Sequence, residues 1–561
     1  MRFCTGIFFC FFFITVVHAQ NIESFDWKKP VKVSGGLSFN NVFYASTGMA
    51  ARRDPYFWML SGNVNLNLFG VLNVPISGQI SQQNRSYTQP FNQFGISPYY
   101  KSWTVHAGYR SLQYSNYSVG GNQWLGGGVE YNPSEGFMGS VFYGRFQKKV
   151  NEFQSDGLVS GTPAYERWGY GTKMGFRKSG NEYTLSVFKG SDQINSVNDS
   201  IAAAANITPS DNVVWALTLK QKISRKLRAD LEYAESAFTE DRRLSSSELQ
   251  AKRFYNALGS LLDINASTTV DNAIQGNVYW ETNVYQVKFG YRRVAPNYRS
   301  LGAIFLNNDI EDISAGISWR MFKQRLNAST TIGLQRNNLE NKLVQESARQ
   351  AYAASLNYSS TSKWNLGAQY SNFLATNRFN NQNLSANQLS LQQNTDSLLY
   401  NQVTQNAGLN ASKQFGDSLV QHGLNGNANW QQARDSKDNN SDFYSGSLGY
   451  SLFLKRFKGG FNLGLLSTLN TVGGFENLLL GPTFGLNKIV SKNYRLSYQL
   501  AYSTNSVDGR SSGYNLSNRI ALNARLGKHH QISADANWLL REATLQQSQE
   551  WRGGFTYNYT F

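Results

Sequence analysis

From about residue 31 to the end of the chain, apolar and polar side chains change places at nearly every step. The last eleven residues set Trp551, Gly553, Phe555, Tyr557, Tyr559 and Phe561 against Arg552, Gly554, Thr556, Asn558 and Thr560. Successive side chains of a strand point to opposite faces, so such a segment has one fatty and one wetted surface. The pattern recurs in 71–82, 102–112, 167–178, 211–222, 284–295, 324–336, 494–505, 513–526 and 530–541. In 102–112, Trp103, Val105, Ala107 and Tyr109 oppose Thr104, His106, Gly108 and Arg110. In 284–295, Tyr285, Val287, Phe289 and Tyr291 oppose Gln286, Lys288, Gly290 and Arg292. The two layers of a soluble sandwich need larger continuous apolar faces than this. Lipid outside and water inside suits it, because an Arg facing mid-bilayer costs about 2–4 kcal/mol and these cations all fall on the polar face.

Turns divide the strands. Short links are read at Ser179-Gly180-Asn181, Glu281-Thr282-Asn283, Thr361-Ser362-Lys363, Gly416-Asp417-Ser418, Ser491-Lys492-Asn493 and Lys528-His529-His530. They alternate with long links at about 148–166, 191–210, 238–270, 296–308 and 375–397, as periplasmic turns alternate with extracellular loops. Phe91–Tyr100 counts as its own strand because Lys101-Ser102 supplies a turn. The expected fold is all-β: a transmembrane, antiparallel, up-and-down β-barrel over 31–561 with about 26 strands and both termini periplasmic. One short loop helix is expected over 245–262, where Ser245-Ser-Ser-Glu248 has capping-box spacing and Leu249, Phe254, Leu258 and Leu261 follow at near-helical intervals. A circular barrel of this size is roughly 50 Å across, so loops, a flattened section or a partner must obstruct it.

Composition adds the compartment. Arg2, the apolar run Ile7–Val17 and Val17-His18-Ala19 read as a cleaved secretory signal peptide over 1–19. A short periplasmic segment follows over 20–30, too short for a plug domain. Both cysteines, Cys4 and Cys10, lie in the leader, so the mature chain has neither disulfide nor thiol chemistry. Mean hydropathy is −0.43 although aromatics make up 14% of the chain. Barrel strands allow that combination and membrane helices do not. The formal charge of +17 points to anionic solutes, phosphorylated lipid or an acidic protein surface. An exported chain disfavours nucleic acid.

Enzyme chemistry is not legible. Of the mature histidines, His529 and His530 fall in a predicted turn, His422 lies near another, and His106 faces inward beside Arg110. No zinc spacing, Walker loop or nucleophile elbow is present, so no catalytic residue, cofactor or metal is assigned. Gly126-Gly-Gly128 and Gly459-Gly460 lie within alternating strands, where glycine serves curvature or close packing. Alternation puts the basic residues Arg110, Lys173, Arg177, Lys288, Arg292, Arg495, Arg519, Arg525 and Arg552 inward, with His106, Glu130, Asp230 and Glu232. Such a lumen favours anions; cations near strand ends bind lipid phosphate or loop acids instead.

Leader, cysteine-free mature chain, alternation and terminal Phe561 together resemble the outer-membrane β-barrels of Gram-negative bacteria. The resemblance makes Trp551, Phe555, Tyr557, Tyr559 and Phe561 a signal read by the barrel-assembly machinery. Lipid and lipopolysaccharide are then the surrounding partners. The stretch Phe91-Asn-Gln-Phe-Gly-Ile-Ser-Pro-Tyr-Tyr100, with Gly126-Gly-Gly-Val-Glu-Tyr-Asn132, is similar to large uncharacterised barrels of Bacteroidota. Strand number is similar to that of the lipopolysaccharide-inserting barrel, but that protein's periplasmic N-terminal domain has no counterpart here. Two functions follow. One is a loop-narrowed pore for polar or anionic solutes. The alternative is a non-enzymatic structural or assembly component of a secretion, biogenesis or surface-attachment complex, its barrel filled or docked by a lipoprotein or periplasmic partner.

Overall fold

The computed structural model describes residues 27–82, 88–151, 154–155, 160–246, 261–303, 306–343, 345–379, 399–543 and 546–561. The leader 1–19, the start of the following segment and most of the expected 245–262 helix lie outside them.

One antiparallel sheet closes on itself. It contains 27 strand segments, of which Gln93–Ile96 and Tyr99–Tyr100 are two pieces of one wall strand, so the wall has 26 strands. Each strand pairs with its chain neighbour, and Val31–Thr47 pairs with Gln546–Thr560 from Gly36↔Thr560 to Thr47↔Gln549. No sheet edge is left, as a membrane requires of backbone donors and acceptors. The strand expected over 91–100 breaks at Ser97-Pro98, because proline has no N–H for the ladder.

Hairpins at one rim are tight. Ser179 and Gly180 both have positive φ (53° and 84°), the geometry that lets two residues join strands of native twist. Trp27–Pro30 and Phe561 end at this same rim, where the Phe561 amide donates to the Gly35 carbonyl (3.0 Å). The opposite rim carries the long connections at 148–166, 193–210, 240–267 and 295–309, close to those expected, and a further one at 111–123; the long link expected at 375–397 falls mostly outside the described residues. The described helix is Asp199–Ala205, closed by Asn206 in the left-handed conformation. It lies in the 193–210 connection, where no helix was expected.

Alternation sets the two faces. Leu448, Leu409 and Phe289 are 68%, 62% and 60% exposed, and Val141, Met174, Leu185, Leu463 and Ile520 belong to the same outer face. An apolar belt of this extent on a closed barrel needs lipid. Aromatic pairs such as Trp538–Trp551 (5.5 Å) and Tyr143–Trp168 (5.2 Å) stack across neighbouring strands. The fold is that of an outer-membrane β-barrel. The two faces predict opposite responses to one change. Leu448→Arg, at mid-strand in Ser441–Leu454, is expected to destabilise the barrel by about 2–4 kcal/mol, whereas Ser447→Arg is expected to be nearly neutral. Denaturant titration of protein folded in lipid vesicles distinguishes them; equal effects would contradict the assigned faces.

Candidate functional site

The inner faces of the first half of the wall are not bare. Phe142, Phe146, Phe188, Val214, Ala216, Ala234, Ala273, Val294 and Ile310 all point inward and are buried. They are covered by Leu112, Tyr114, Tyr117 and Val119 of the 111–123 loop and by Ala295, Tyr298 and Leu301 of the 295–309 loop. Trp124, which opens the next strand, is fully buried and stacked on Phe142 (5.1 Å, 15°). Two long connections therefore turn inward and pack on the wall.

Polar bonds lock them to each other. The Tyr298 hydroxyl donates to the Tyr117 carbonyl (2.9 Å), 181 residues away in sequence. The Ser300 hydroxyl donates to the Ser118 carbonyl (2.6 Å), and the Gly120 amide donates to the Gly302 carbonyl (3.1 Å). Gly302 is required there: a Cβ would sit 2.6 Å from the Ser118 carbonyl oxygen and 2.9 Å from the Phe188 ring. Other bonds reach the wall. Glu232 accepts from the Asn116 amide (2.8 Å) and its side-chain nitrogen (3.1 Å), and Tyr117 donates to Gln275 (3.1 Å). The Tyr114 hydroxyl shares a bond with Ser140 (2.8 Å). Burial pushes the phenol pKa of Tyr114 and Tyr117 up, so both stay protonated.

The second half of the wall differs. After Leu326 the buried apolar side chains among the described residues are Ala375, Ala524 and Leu540. No described loop packs a core against these strands. The lumen is thus filled off-centre, against the strands from Trp124–Tyr131 to Ile310–Met321.

The inner-face residues expected from sequence fall into three groups. Several are paired: Arg177 with Glu182 (2.8 Å), Arg292 with Asp312, and Arg519 with Asp535 at 4.0 Å. Asp230 lies 3.6 Å from Arg228, Glu130 accepts from Asn132 (3.4 Å), and Lys288 stands over the Tyr279 ring (5.6 Å). A second group lines a recess of about 530 Å³ with Asn63, Asn65 and Gln123. There Arg110 donates to Ser77 (2.7 Å) and His106 shares a bond with Ser97 (3.0 Å). Arg110 Nε and His106 Nε2 are buried there without a partner among the described residues. The third group stands apart: Lys173 is half-buried between Ser140 and Ser186, while Arg495, Arg525 and Arg552 are exposed. The other described histidines serve the tight-turn rim. His422 stacks on Phe415 (4.9 Å), His529 bonds the Thr560 carbonyl (2.7 Å) and His530 bonds Tyr557 (2.7 Å). At Gly126 neighbouring strands approach closely: a Cβ there would stand 2.1 Å from the Tyr143 carbonyl oxygen.

Sequence reasoning admits inward-folded loops but does not identify them, and it misses the 111–123 connection altogether. Its signal was the strand Gly136–Gln147, where Met138, Phe142 and Phe146 alternate with Phe137, Val141 and Tyr143, so that both faces are apolar. A wall strand fatty on both sides has lipid on one and protein on the other.

No protein-family model and no curated protein sequence matches the chain. Among solved structures it is similar to the copper transporter OprC at 9% identity, over 94% of this chain and 81% of that one, with a TM-score of 0.40. It is similar to the P pilus usher (PapC) translocation pore at 12% identity, over 94% and 99% of the two chains, with a TM-score of 0.39. Pseudomonas aeruginosa OccK10 (OpdN) aligns at 11% identity over 61% and 93%, with a TM-score of 0.33.

Proposed function

We propose that the protein is a pore for polar solutes, exported through a cleaved leader and narrowed by its own loops. One observation carries this reading: loops 111–123 and 295–309 occupy one side of the lumen, while among the described residues the strands after Leu326 present a wetted face with no core packed on it. A barrel roughly 50 Å across that filled itself evenly would be a closed body, and one left empty would breach the membrane. Off-centre filling gives a channel of intermediate width. It also removes the need for a separate protein to fill that half, which disfavours the structural or assembly alternative.

The inward cations supply a modest bias. Arg177, Arg292 and Arg519 face acids, so their fields are largely cancelled locally, whereas Arg495, Arg525 and Arg552 have no such partner among the described residues. Purified protein in a planar bilayer with unequal salt is expected to give a reversal potential of anion sign, with a permeability ratio below about threefold. Absence of conductance overturns the pore; a cation-selective potential overturns the bias. Seating in lipid and lipopolysaccharide is part of the proposal, and the apolar belt supports the lipid contact. Recognition by the barrel-assembly machinery is proposed to run through Trp551, Phe555, Tyr557, Tyr559 and Phe561.

A further inference from the structure

Six consecutive strands, from Trp364–Phe379 to Phe475–Ile489, form the wall facing the inward loops' side of the barrel from beyond Leu326. Their register places inward positions side by side, as in Asn365, Ser412, Asn425, Gly449, Gly464 and Thr483. Along all six strands, every described inward position is uncharged except Asp435 at the long-loop rim. Asn, Gln, Ser, Thr and Gly predominate. Apart from Asp435, the charged residues of these strands whose side chains are described, Lys413, Arg434, Asp442, Glu476 and Lys488, alternate onto the outer face near strand ends.

The amides lie flat on this wall because glycines make room. A Cβ on Gly449 would stand 2.5 Å from the Asn425 amide, and one on Gly367 would stand 2.5 Å from that of Asn410. Asn427 donates to Ser447 (2.7 Å) and Asn406 to Ser371 (3.4 Å), so the wall also bonds to itself. Each amide and hydroxyl offers both donor and acceptor capacity without net charge. An ion entering here sheds water and gains no opposing charge. A neutral polyhydroxyl solute exchanges its water bonds for equivalent ones. The nearest inward cations stand on the two flanking strands: Arg349, which donates to Gln335 (3.3 Å), and the exposed Arg495; farther on, Arg519 and Arg541 face Asp535 (4.0 Å) and Glu550 (3.4 Å).

We infer that this six-strand amide and hydroxyl wall makes the lumen a path for neutral saccharides. The inference rests on the pore reading and names its solute class. The full-length protein in liposomes is tested by osmotic swelling in maltotriose and in the potassium salt of a sugar acid of similar size. Swelling at least about threefold faster in the neutral sugar is expected. The double variant Asn410→Asp with Asn427→Asp is expected to move the bilayer reversal potential toward cations, since it charges two neighbouring inward positions. Faster entry of the sugar acid overturns the inference and leaves the pore standing, as does an unchanged reversal potential in the folded variant. No swelling and no conductance in any solute overturns both.

Discussion

Replacing residues 114–120 by a Gly-Ser linker of equal length is expected to raise single-channel conductance at least about twofold and make the current noisier. The segment includes Tyr114, Tyr117 and Val119, which cover the inner wall, and Asn116, Ser118 and Gly120, which tie it down. A single substitution is a weaker test. Glu232→Ala strands the Asn116 donors at about 1–3 kcal/mol, but the bonds from Tyr298, Ser300 and Gly302 keep the loop docked. Removing the tip deletes both apolar cover and ties at once, and the 295–309 loop loses its partner. Single-channel recording reads the outcome directly. Unchanged conductance in a correctly folded barrel would put the loop outside the conducting path and defeat the proposed function.

The wall was legible because its rule is local. Strands 167–178 and 211–222 match expectation at both ends, since each is bounded by a turn or a loop and its faces repeat every second residue. Closure and even strand number follow from the same rule, because an open edge cannot be tolerated in lipid. What fills the barrel is not local. Tyr298 meets Tyr117 across 181 residues, and no periodicity links those positions. Alternation reports only that a residue faces inward; it does not distinguish water from a folded loop. The 102–112 segment shows the limit. Alternation predicts strand through Leu112, yet the strand ends at Arg110 and Leu112 belongs to the inward loop. The helix Asp199–Ala205 had a readable signal in its alanine run and the following Asn206, but the Ser245-Ser-Ser-Glu248 pattern drew the helix expectation elsewhere. Charge pairing is non-local in the same way. Sequence identifies which cations face inward, but only the fold shows that Asp312, Glu182 and Asp535 stand opposite three of them.

Trp124→Ala is expected to destabilise the filled half by about 3–5 kcal/mol, the range for removing a buried indole. Trp124 packs on Phe142 and also limits its neighbours: a Cβ on Gly144 would stand 2.7 Å from its ring. Loss of the ring leaves a cavity under the 111–123 loop, whose apolar side chains then lack a floor. The 26-strand ladder remains hydrogen-bonded, so the damage is expected to be local. Protease accessibility within 111–123 is expected to rise in vesicles while the barrel keeps its folded mobility on unheated gels. Trp124→Phe supplies the control. Its ring preserves the stack, and it discards an indole N–H that is buried without a partner among the described residues, so its cost is expected to stay below about 1.5 kcal/mol. Equal loss in both variants would mean that the indole nitrogen, rather than the packed ring, holds the loop. A global collapse of the barrel in Trp124→Ala would show that wall and filling fold as one unit, and the loops could not then be loosened without losing the pore.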